Sequence, residues 1–289
     1  MKYVLCKPRG GLNDTLCEIE KCWRYAEKHH RYLLIDSTES GLHDDFWNYF
    51  STSFMHRSSV IRKNNYTELN KLTAKPSVTE GKLDSYISKY SPVVNNFIEI
   101  ESKQKLTFNM DLGHKEDVLV HEQCWEGEFL SIYCLDGLVF KPHIQEYIKA
   151  KIAKLGEYVS VHVRNTDYKM DYKYQFMKMK EDVAGKTLLV CSDDYQVFKY
   201  AREFFDKTKV VRLSTFKDNG GEPLHHKHHS NQEQVNLEMF TDLLAMAQSQ
   251  KLYISNVNNI QKYSGFTLLA YTLQQNPEIV HKLLNGSAG

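Results

Sequence analysis

The chain has 289 residues and an almost neutral charge, with 37 basic and 36 acidic side chains. Its 42% hydrophobic content is typical of a globular protein and excludes a disordered chain. The balanced charge disfavours bulk electrostatic binding, so no nucleic-acid partner is expected. No apolar run reaches the ~18 residues of a transmembrane span, and no signal peptide is evident. These features predict a soluble, cytoplasmic protein.

The six cysteines contain no Cys-x-x-Cys pair, which disfavours a zinc ribbon. Cys6, Cys17, Cys22 and Cys191 lie in apolar, periodic segments. We therefore expect free, buried thiols in a reducing compartment.

The first elements predict a βαβ unit. Residues 3–6 have the pattern of a strand, a Pro-Arg-Gly-Gly turn follows, and apolar residues then recur at helical spacing up to about His29. Asn13 or Asp14 is a suitable N-cap for that helix. A second strand at residues 32–36 completes the unit, which indicates a parallel sheet.

The middle of the chain has a weaker pattern. Residues 40–110 mix aromatic residues with polar runs and predict only helical fragments. Residues 117–121 have the composition of a buried strand, and residues 144–155 have a helical apolar pattern.

The second half alternates strands and helices more clearly. Strands are predicted at residues 158–164, 187–192, 209–213 and 251–255, and helices at residues 195–206, 236–248 and 263–275. The two alternating series meet near residue 150. They predict an α/β fold of two Rossmann-like, doubly wound lobes, residues 1–148 and 149–289, with a cleft between them.

Several polar groups follow predicted strands, where ligands bind in open α/β sheets. Gly10 and Gly11 would let the backbone approach a ligand closely, although they do not form the Gly-x-Gly-x-x-Gly fingerprint. Alternation places His162 and Arg164 on one side of their strand, and an arginine there can bind a diphosphate in a bidentate manner.

Two further groups of polar residues have both structural and functional interpretations. Ser192 and Asp193 precede a helix that Asp193 or Asp194 can cap. Ser255 and Ser264 flank a polar segment before the last predicted helix, whose N–H groups suit phosphate oxygens.

Asp242 stands among apolar neighbours in a predicted helix, so it pairs with a basic group or accepts hydrogen bonds from a ligand. The four histidines of residues 225–229 allow a metal site, but a solvent-exposed or acceptor-facing loop is the favoured interpretation.

Together these segments resemble the fucosyltransferase superfamily of α1,2- and α1,6-fucosyltransferases, protein O-fucosyltransferases and rhizobial NodZ enzymes. Residues 10–13 resemble its Gly-Gly-x-x-Asn block, and residues 159–167 resemble its His-x-Arg-Arg-x-Asp block. Residues 242–264 are similar to its Asp-Leu-Leu…Ser block, while residues 40–115 are unmatched. The central block is the most specific of the three.

The resemblance implies a two-lobed GT-B fold, a GDP-sugar donor, inversion at the anomeric carbon and no metal or other cofactor. The second lobe would bind the donor and the first would face the acceptor. The donor-binding residues it implies lie at strand ends, helix starts and one helix: Gly10, Gly11, Asn13, His162, Arg164, Ser192, Asp193, Asp242, Ser255 and Ser264.

In the family the matched histidine and helix aspartate recognise guanine, which corresponds to His162 and Asp242. The first arginine of the block binds the β-phosphate, which corresponds to Arg164. The second arginine is Asn165 here, which weakens the assignment of fucose unless Arg9, Lys262 or another cation compensates.

The sequence therefore predicts an inverting transferase that moves fucose from GDP-fucose to a glycan. Arg164 would stabilise the leaving diphosphate, and Asp167 or Asp171 would act as the base. By family analogy the acceptor is a precursor of a bacterial surface polysaccharide, such as O-antigen or capsule. The same analogy includes a lipid-linked acceptor and peripheral association with the inner membrane as alternatives.

Three alternatives differ from this prediction. The first is a GT-B transferase that uses another nucleotide sugar. The second is a metal-dependent hydrolase built on the histidine loop. The third is a non-catalytic glycan-binding protein with the same fold.

Overall fold

A computed structural model of the chain describes residues 1–52, 60–61, 64–124, 130–167, 169–215, 228–254 and 263–286. The chain divides into two compact units, Met1–Val139 and Phe140–Gly289. Residues 148 and 149, at the predicted boundary, lie in a helix of the second unit. Within the described ranges, no helix combines the length and the apolar composition needed to cross a membrane.

The first unit is built around a parallel sheet. Its strands are β1 (Tyr3–Cys6), β2 (Tyr32–Ile35), β3 (Phe50–Thr52), β4 (Val60–Ile61), β5 (Ala74–Lys75), β6 (Ser88–Ser91), β7 (Asn96–Glu99), β8 (Val118–His121) and β9 (Leu138–Phe140), which ends at the boundary. Its helices are α1 (Leu12–Lys28), α2 (Tyr66–Leu69) and α3 (Leu130–Asp136), with 3₁₀ turns at Phe46–Asn48 and Ser77–Thr79. Five strands pair in the order β4-β2-β1-β8-β5, and every pairing is parallel.

Helix α1 confirms the predicted βαβ unit, but its N-cap differs from the prediction. It begins after Gly11, which supplies no side-chain cap. Asn13 and Asp14 lie inside the first turn of the helix instead. The Oδ1 atom of Asn13 accepts a hydrogen bond from Ser131 at 2.7 Å, and the Asp14 carboxylate lies beside Gly10. Both side chains therefore contact other segments of the first unit.

The prediction of helical fragments alone for residues 40–110 was wrong. This stretch contributes the short strands β3 to β7 as well as α2. Strand β5 pairs with the distant β8, and β6 pairs with β7 as an antiparallel hairpin. Such short strands are stabilised by their pairing partners, so their own composition carries little signal.

The second unit contains the other parallel sheet. Its strands are β10 (Tyr158–Val163), β11 (Thr187–Ser192), β12 (Lys209–Val211) and β13 (Leu252–Ile254). Its helices are α4 (Pro142–Ile152), α5 (Tyr172–Val183), α6 (Tyr195–Phe204), α7 (Gln232–Gln248), α8 (Gly265–Gln274) and α9 (Pro277–Asn285), with a 3₁₀ turn at Ala153–Leu155. The sheet order is β12-β11-β10-β13, again with every pairing parallel. The four predicted strands are confirmed, whereas α5 and α9 were not predicted.

Strand β10 occupies the position where the winding of this sheet changes direction. It pairs with β11 on one side and with β13 on the other. His162 is opposite Cys191 in β11 and Ile254 in β13, so the carboxyl ends of the three strands lie together. Such a switch point is where open α/β sheets bind ligands.

The residues of β10 and β11 that face the core explain why the sheet forms there. Val161, Val163, Leu188 and Val190 are all at most 2% exposed and pack with Phe176 of α5. A run of apolar residues buried on both faces is typical of central parallel strands. The predicted free thiols are confirmed, since all six cysteines are unbridged and buried.

Candidate functional site

Arg164 follows the last residue of β10 and is held by a neighbouring carboxylate. Its Nε and Nη2 atoms donate to the two oxygens of Asp167, at 2.8 and 2.6 Å. Burial opposes ionisation of Asp167, but the hydrogen bonds and charge of Arg164 outweigh it and lower the pKa of Asp167 to about 2. The guanidinium is thus already in the fork geometry that binds carboxylates and phosphates.

Asp193, at the end of β11, fixes the loop that carries Arg164. It accepts hydrogen bonds from the backbone N–H of Asn165 at 2.8 Å and from the hydroxyl of Thr166 at 2.5 Å. Its Oδ2 atom lies 4.0 Å from Nε of Arg164. Burial raises the pKa of Asp193 despite these partners. Asp193 therefore orders the loop after β10 and adds negative potential beside the guanidinium.

Ser192, the last residue of β11, and Asp194, which follows the strand, have structural roles. Asp194 caps α6 by accepting from the N–H of Gln196 at 2.8 Å, as one of the two predicted caps. Ser192 accepts from the N–H of Asp194 at 3.1 Å. The amide of Asn165 donates to Asp194 at 2.7 Å, so the side chain that replaces the second arginine is tied to this turn.

Asp171, one of two candidate bases, is the N-cap of α5. Its Oδ1 atom accepts a hydrogen bond from the N–H of Tyr174 at 3.1 Å. The other candidate, Asp167, has the low pKa described above and is a weaker base than an unpaired carboxylate. Both carboxylates already accept hydrogen bonds from neighbouring groups, and the assignment of the base stays a prediction.

His162 lies at the switch point and contacts the start of α8. Its Nδ1 atom is 2.5 Å from the hydroxyl of Thr267, which is 2.7 Å from the hydroxyl of Ser264. Burial, with the nearby charge of Arg164, lowers the pKa of His162 to about 3, so the ring is neutral at pH 7. Ser264 caps α8 by accepting from the N–H of Thr267 at 3.2 Å.

Asp242, on α7, faces the end of β11 and the segment after β12. It is only 8% exposed, and its Oδ1 atom has no hydrogen-bond partner among the described residues. Burial and the neighbouring Glu238 raise the pKa of Asp242 to about 7, against the opposing effects of Ser214, Arg212 and Cys191. A buried carboxylate with an unused acceptor is a candidate for ligand recognition.

Gly10 makes a tight turn after β1 in the first unit. Its φ of +89° is in a region that other residues rarely adopt, whereas Gly11 has a φ of −71°. A Cβ on Gly10 would lie 2.7 Å from Oδ2 of Asp14, and one on Gly11 would meet nothing within 4 Å. The carbonyl of Gly10 accepts from the N–H of Gly41 at 2.7 Å.

Sequence reasoning missed Lys7 and did not predict that Arg9 is buried. Lys7 is 1% exposed and donates to the carbonyls of Leu83 and Ser85 at 3.0 and 2.8 Å. Arg9 is 7% exposed, and its guanidinium lies 4.8 Å from the ring centroid of Tyr86 and 4.4 Å from that of Phe97.

Arg9 also pairs with the carboxylates of Glu39 and Glu122, both at 3.4 Å. The guanidinium therefore has structural partners in the first unit, and its role as a replacement for the missing second arginine stays a prediction.

The chain is similar in structure to solved fucosyltransferases. Its structure is similar to that of fucosyltransferase NodZ from Bradyrhizobium, with a TM-score of 0.63 and 15% identity over 94% of this chain and 93% of that one. It is also similar to NodZ α-1,6-fucosyltransferase co-crystallised with GDP and to the same protein soaked with GDP-fucose. Each of these gives a TM-score of 0.60 and 16% identity over 94% of this chain and 92% of the other.

The chain has the NodZ fold. The family resemblance predicted from the sequence blocks is thereby confirmed at the level of fold. No protein-family model matches the chain. No curated protein sequence matches it significantly either.

Within this NodZ fold, the predicted donor residues of the second unit gather at the ends of β10 and β11, on α7 and at the start of α8. This group consists of His162, Arg164, Ser192, Asp193, Asp242 and Ser264. Gly10, Gly11 and Asn13 lie in the first unit, after β1. Ser255, Lys262 and His225 to Lys227 lie outside the described residues.

Two residues that the sequence analysis did not single out also belong to the site, namely Thr267 and Glu238. Thr267 follows Ser264 by three residues, a spacing that places both hydroxyls on one turn of a helix. Glu238 precedes Asp242 by four residues and receives hydrogen bonds from the N–H and hydroxyl of Thr215, at 2.8 and 2.5 Å.

The part of the chain that the structure describes contains no group of three or more His, Cys, Asp or Glu side chains placed to hold a metal. Metal independence stays a prediction.

The two glycines of the turn should respond differently to substitution. Gly10→Ala should lower the free energy of unfolding by about 1–3 kcal/mol, because alanine is strained at this φ and meets Asp14. Gly11→Ala should change it by less than about 0.5 kcal/mol, because a gain in chain entropy offsets the poorer N-cap. Urea denaturation of both variants measures the difference, and equal stabilities would contradict the described turn.

The raised pKa of Asp242 gives a pH-dependent stability. A folded-state pKa near 7, above the usual value of 3.8, means that the folded state retains a proton which the unfolded state has lost. Stability is therefore lost as the pH rises from about 4 through 7, by up to about 4 kcal/mol.

Asp242→Asn should remove this loss, so its stability relative to the wild type should be greater at pH 8 than at pH 5. Urea denaturation at both values checks the prediction. Asp206→Asn is the control, because that exposed carboxyl pairs with Lys180 and its lowered pKa lies below this range. If the stabilities of Asp242→Asn and the wild type change in parallel with pH, the pKa of Asp242 is not raised in the folded state.

Proposed function

We propose that the protein is an inverting glycosyltransferase that transfers fucose from GDP-fucose to a glycan acceptor. The observation that carries the proposal is the position of Arg164 at the switch point of the second sheet, two residues after His162, which contacts the first turn of α8. The similarity to NodZ structures co-crystallised with GDP and soaked with GDP-fucose supports the donor class.

Arg164 would stabilise the leaving diphosphate. Transfer from a nucleotide sugar passes through an oxocarbenium-like state while negative charge grows on the departing phosphate oxygens. A fixed guanidinium and the N-terminus of α8 favour that charge in the transition state. When the donor binds, its phosphate oxygens would replace the Asp167 carboxylate as the partner of the guanidinium.

Asp242 would contribute to recognition of the base. Guanine presents adjacent N–H donors, which one carboxylate can accept together. Uracil and cytosine lack that pair. Binding would give the unused Oδ1 atom a partner and favour the ionised carboxylate, which burial alone disfavours.

Asn165 bears on the choice of sugar. It replaces the second arginine of the family block, so only Arg164 offers a guanidinium there. The amide of Asn165 donates a hydrogen bond to Asp194. Another GDP-sugar is therefore the second candidate for the donor. A non-catalytic glycan-binding protein with this fold is the third interpretation, and the experiment below separates it from both.

The acceptor side follows from family analogy. We propose a precursor of bacterial O-antigen or capsule, either free or lipid-linked, as the acceptor. The reaction would take place in the cytoplasm, with the protein free or peripheral to the inner membrane. It would need no metal, with Asp167 or Asp171 accepting the acceptor proton.

Binding of the nucleotide tests the proposal most directly. Thermal shift and calorimetry in EDTA should show stabilisation by GDP and little effect of UDP or CMP, because only the nucleotide that binds the folded state raises its apparent stability. Absence of any nucleotide effect would favour a glycan-binding protein. An effect of UDP alone would move the donor to another nucleotide class.

Arg164→Ala should lower turnover of GDP-fucose by at least about 100-fold, the scale for loss of one transition-state donor. Turnover is measured as release of GDP, with and without oligosaccharide acceptors. Arg202→Ala is the matched control, since that arginine is in α6 and its guanidinium packs 6.0 Å from the ring of Phe198. Turnover by Arg164→Ala within threefold of the control would refute the assigned role.

A further inference from the structure

A chain of two hydroxyls connects His162 to the first turn of α8. Nδ1 of His162, Oγ1 of Thr267 and Oγ of Ser264 follow each other at 2.5 and 2.7 Å. Thr267 is 0% exposed, and His162 and Ser264 are 6% and 9% exposed. In such a buried chain each hydroxyl proton needs an acceptor within the chain itself.

The hydrogen bonds of Ser264 determine the direction in which the protons point. Its Oγ atom already accepts from the N–H of Thr267 at 3.2 Å. Among the described residues, the only acceptor within reach of its own proton is Oγ1 of Thr267. Thr267 must then donate its proton to Nδ1 of His162. The reverse direction would leave the proton of Ser264 without an acceptor, which is costly for a buried hydroxyl.

The position of the chain at the start of α8 favours the same direction. The first turn of a helix presents unpaired N–H groups and a positive potential. An unprotonated Nδ1, with its lone pair toward that turn, suits the potential better than an N–H group. Two independent arguments therefore give the ring the same tautomer.

We infer that Ser264 and Thr267 hold His162 with its single proton on Nε2, so that the ring presents a hydrogen-bond donor to the nucleotide. Thr267 is thus a positioning residue that acts through His162. This use of the donor rests on the function proposed above, whereas the tautomer itself does not.

Only a neutral ring has one protonated and one unprotonated nitrogen, so the orientation matters only in that state. A charged imidazolium would carry protons on both nitrogens, and the Thr267 hydroxyl would then fix nothing. Burial and the Arg164 charge keep the ring neutral. The ring's hydrogen bond to Thr267 is made by Nδ1, which leaves the Nε2 donor for a ligand.

The ligand atom that meets Nε2 must therefore be an acceptor, such as the keto oxygen of a purine. An amino group at the same place would point its N–H donor at the N–H donor of Nε2. The chain of hydroxyls thus contributes to selecting a 6-keto purine over a 6-amino purine at the level of one hydrogen bond.

Nitrogen NMR of protein labelled with ¹⁵N-histidine tests the tautomer without any ligand. The His162 signal, assigned by its loss in His162→Gln, should show the proton on Nε2 in the wild type. Thr267→Ser keeps the hydroxyl and should keep the tautomer. Thr267→Val keeps the shape but lacks the hydroxyl, and it should give a mixture of both tautomers.

Calorimetry with GDP and ADP tests the consequence. GDP affinity should fall about 3- to 10-fold in Thr267→Val, the scale of one hydrogen bond between neutral groups, and stay within twofold in Thr267→Ser. The preference for GDP over ADP should fall by a similar factor. Melting curves of the two variants show whether each is folded before its affinity is compared.

Two results would overturn the inference. One is a proton on Nδ1 of His162 in the wild type, and the other is an unchanged tautomer in a folded Thr267→Val variant. If Thr267→Val does not fold, the wild-type spectrum alone decides. Absence of GDP binding together with the Nε2 tautomer would instead reject the proposed function and leave the positioning role of Thr267 intact.

Discussion

The parallel register of β10 is the constraint on which the candidate site depends. It aligns His162 with Cys191 on one side and Ile254 on the other, so the carboxyl ends of three strands coincide. The loop after β10 then lies beside Asp193, which binds it through Asn165 and Thr166. A slip of one residue would reverse the face of every side chain on β10 and separate Arg164 from these partners.

Local sequence signals account for much of this architecture. Alternation predicts β10, a continuous apolar run predicts β11, and the Gly-Gly turn with its periodic helix predicts the first βαβ unit. The signals fail where stabilisation comes from distant segments, as for the short strands β5 and β6. The pairing of Thr267 with His162 also escapes sequence reasoning, because it joins elements that only the winding of the sheet brings together.

Charged side chains near the ends of β1 and β10 have different environments. Lys7 and Arg9 are enclosed by carbonyls, carboxylates and aromatic rings of the first unit, and both are at most 7% exposed. Arg164 retains 19% of its side-chain surface. From sequence alone, all three are basic residues at or just after a predicted strand. What distinguishes them is burial, which depends on loops far along the chain such as residues 83–88.

The bidentate contact between Arg164 and Asp167 has a consequence for which solutes can occupy the site. An anion that bound the same edge of the guanidinium would replace a carboxylate that already accepts from two N–H groups. A monocarboxylate gains nothing from that exchange, since it offers the same two oxygens and the same charge. A pyrophosphate brings more negative charge and further oxygens for neighbouring N–H groups. If the site binds a nucleotide diphosphate as proposed, this contact would therefore disfavour small metabolites that carry a single carboxylate.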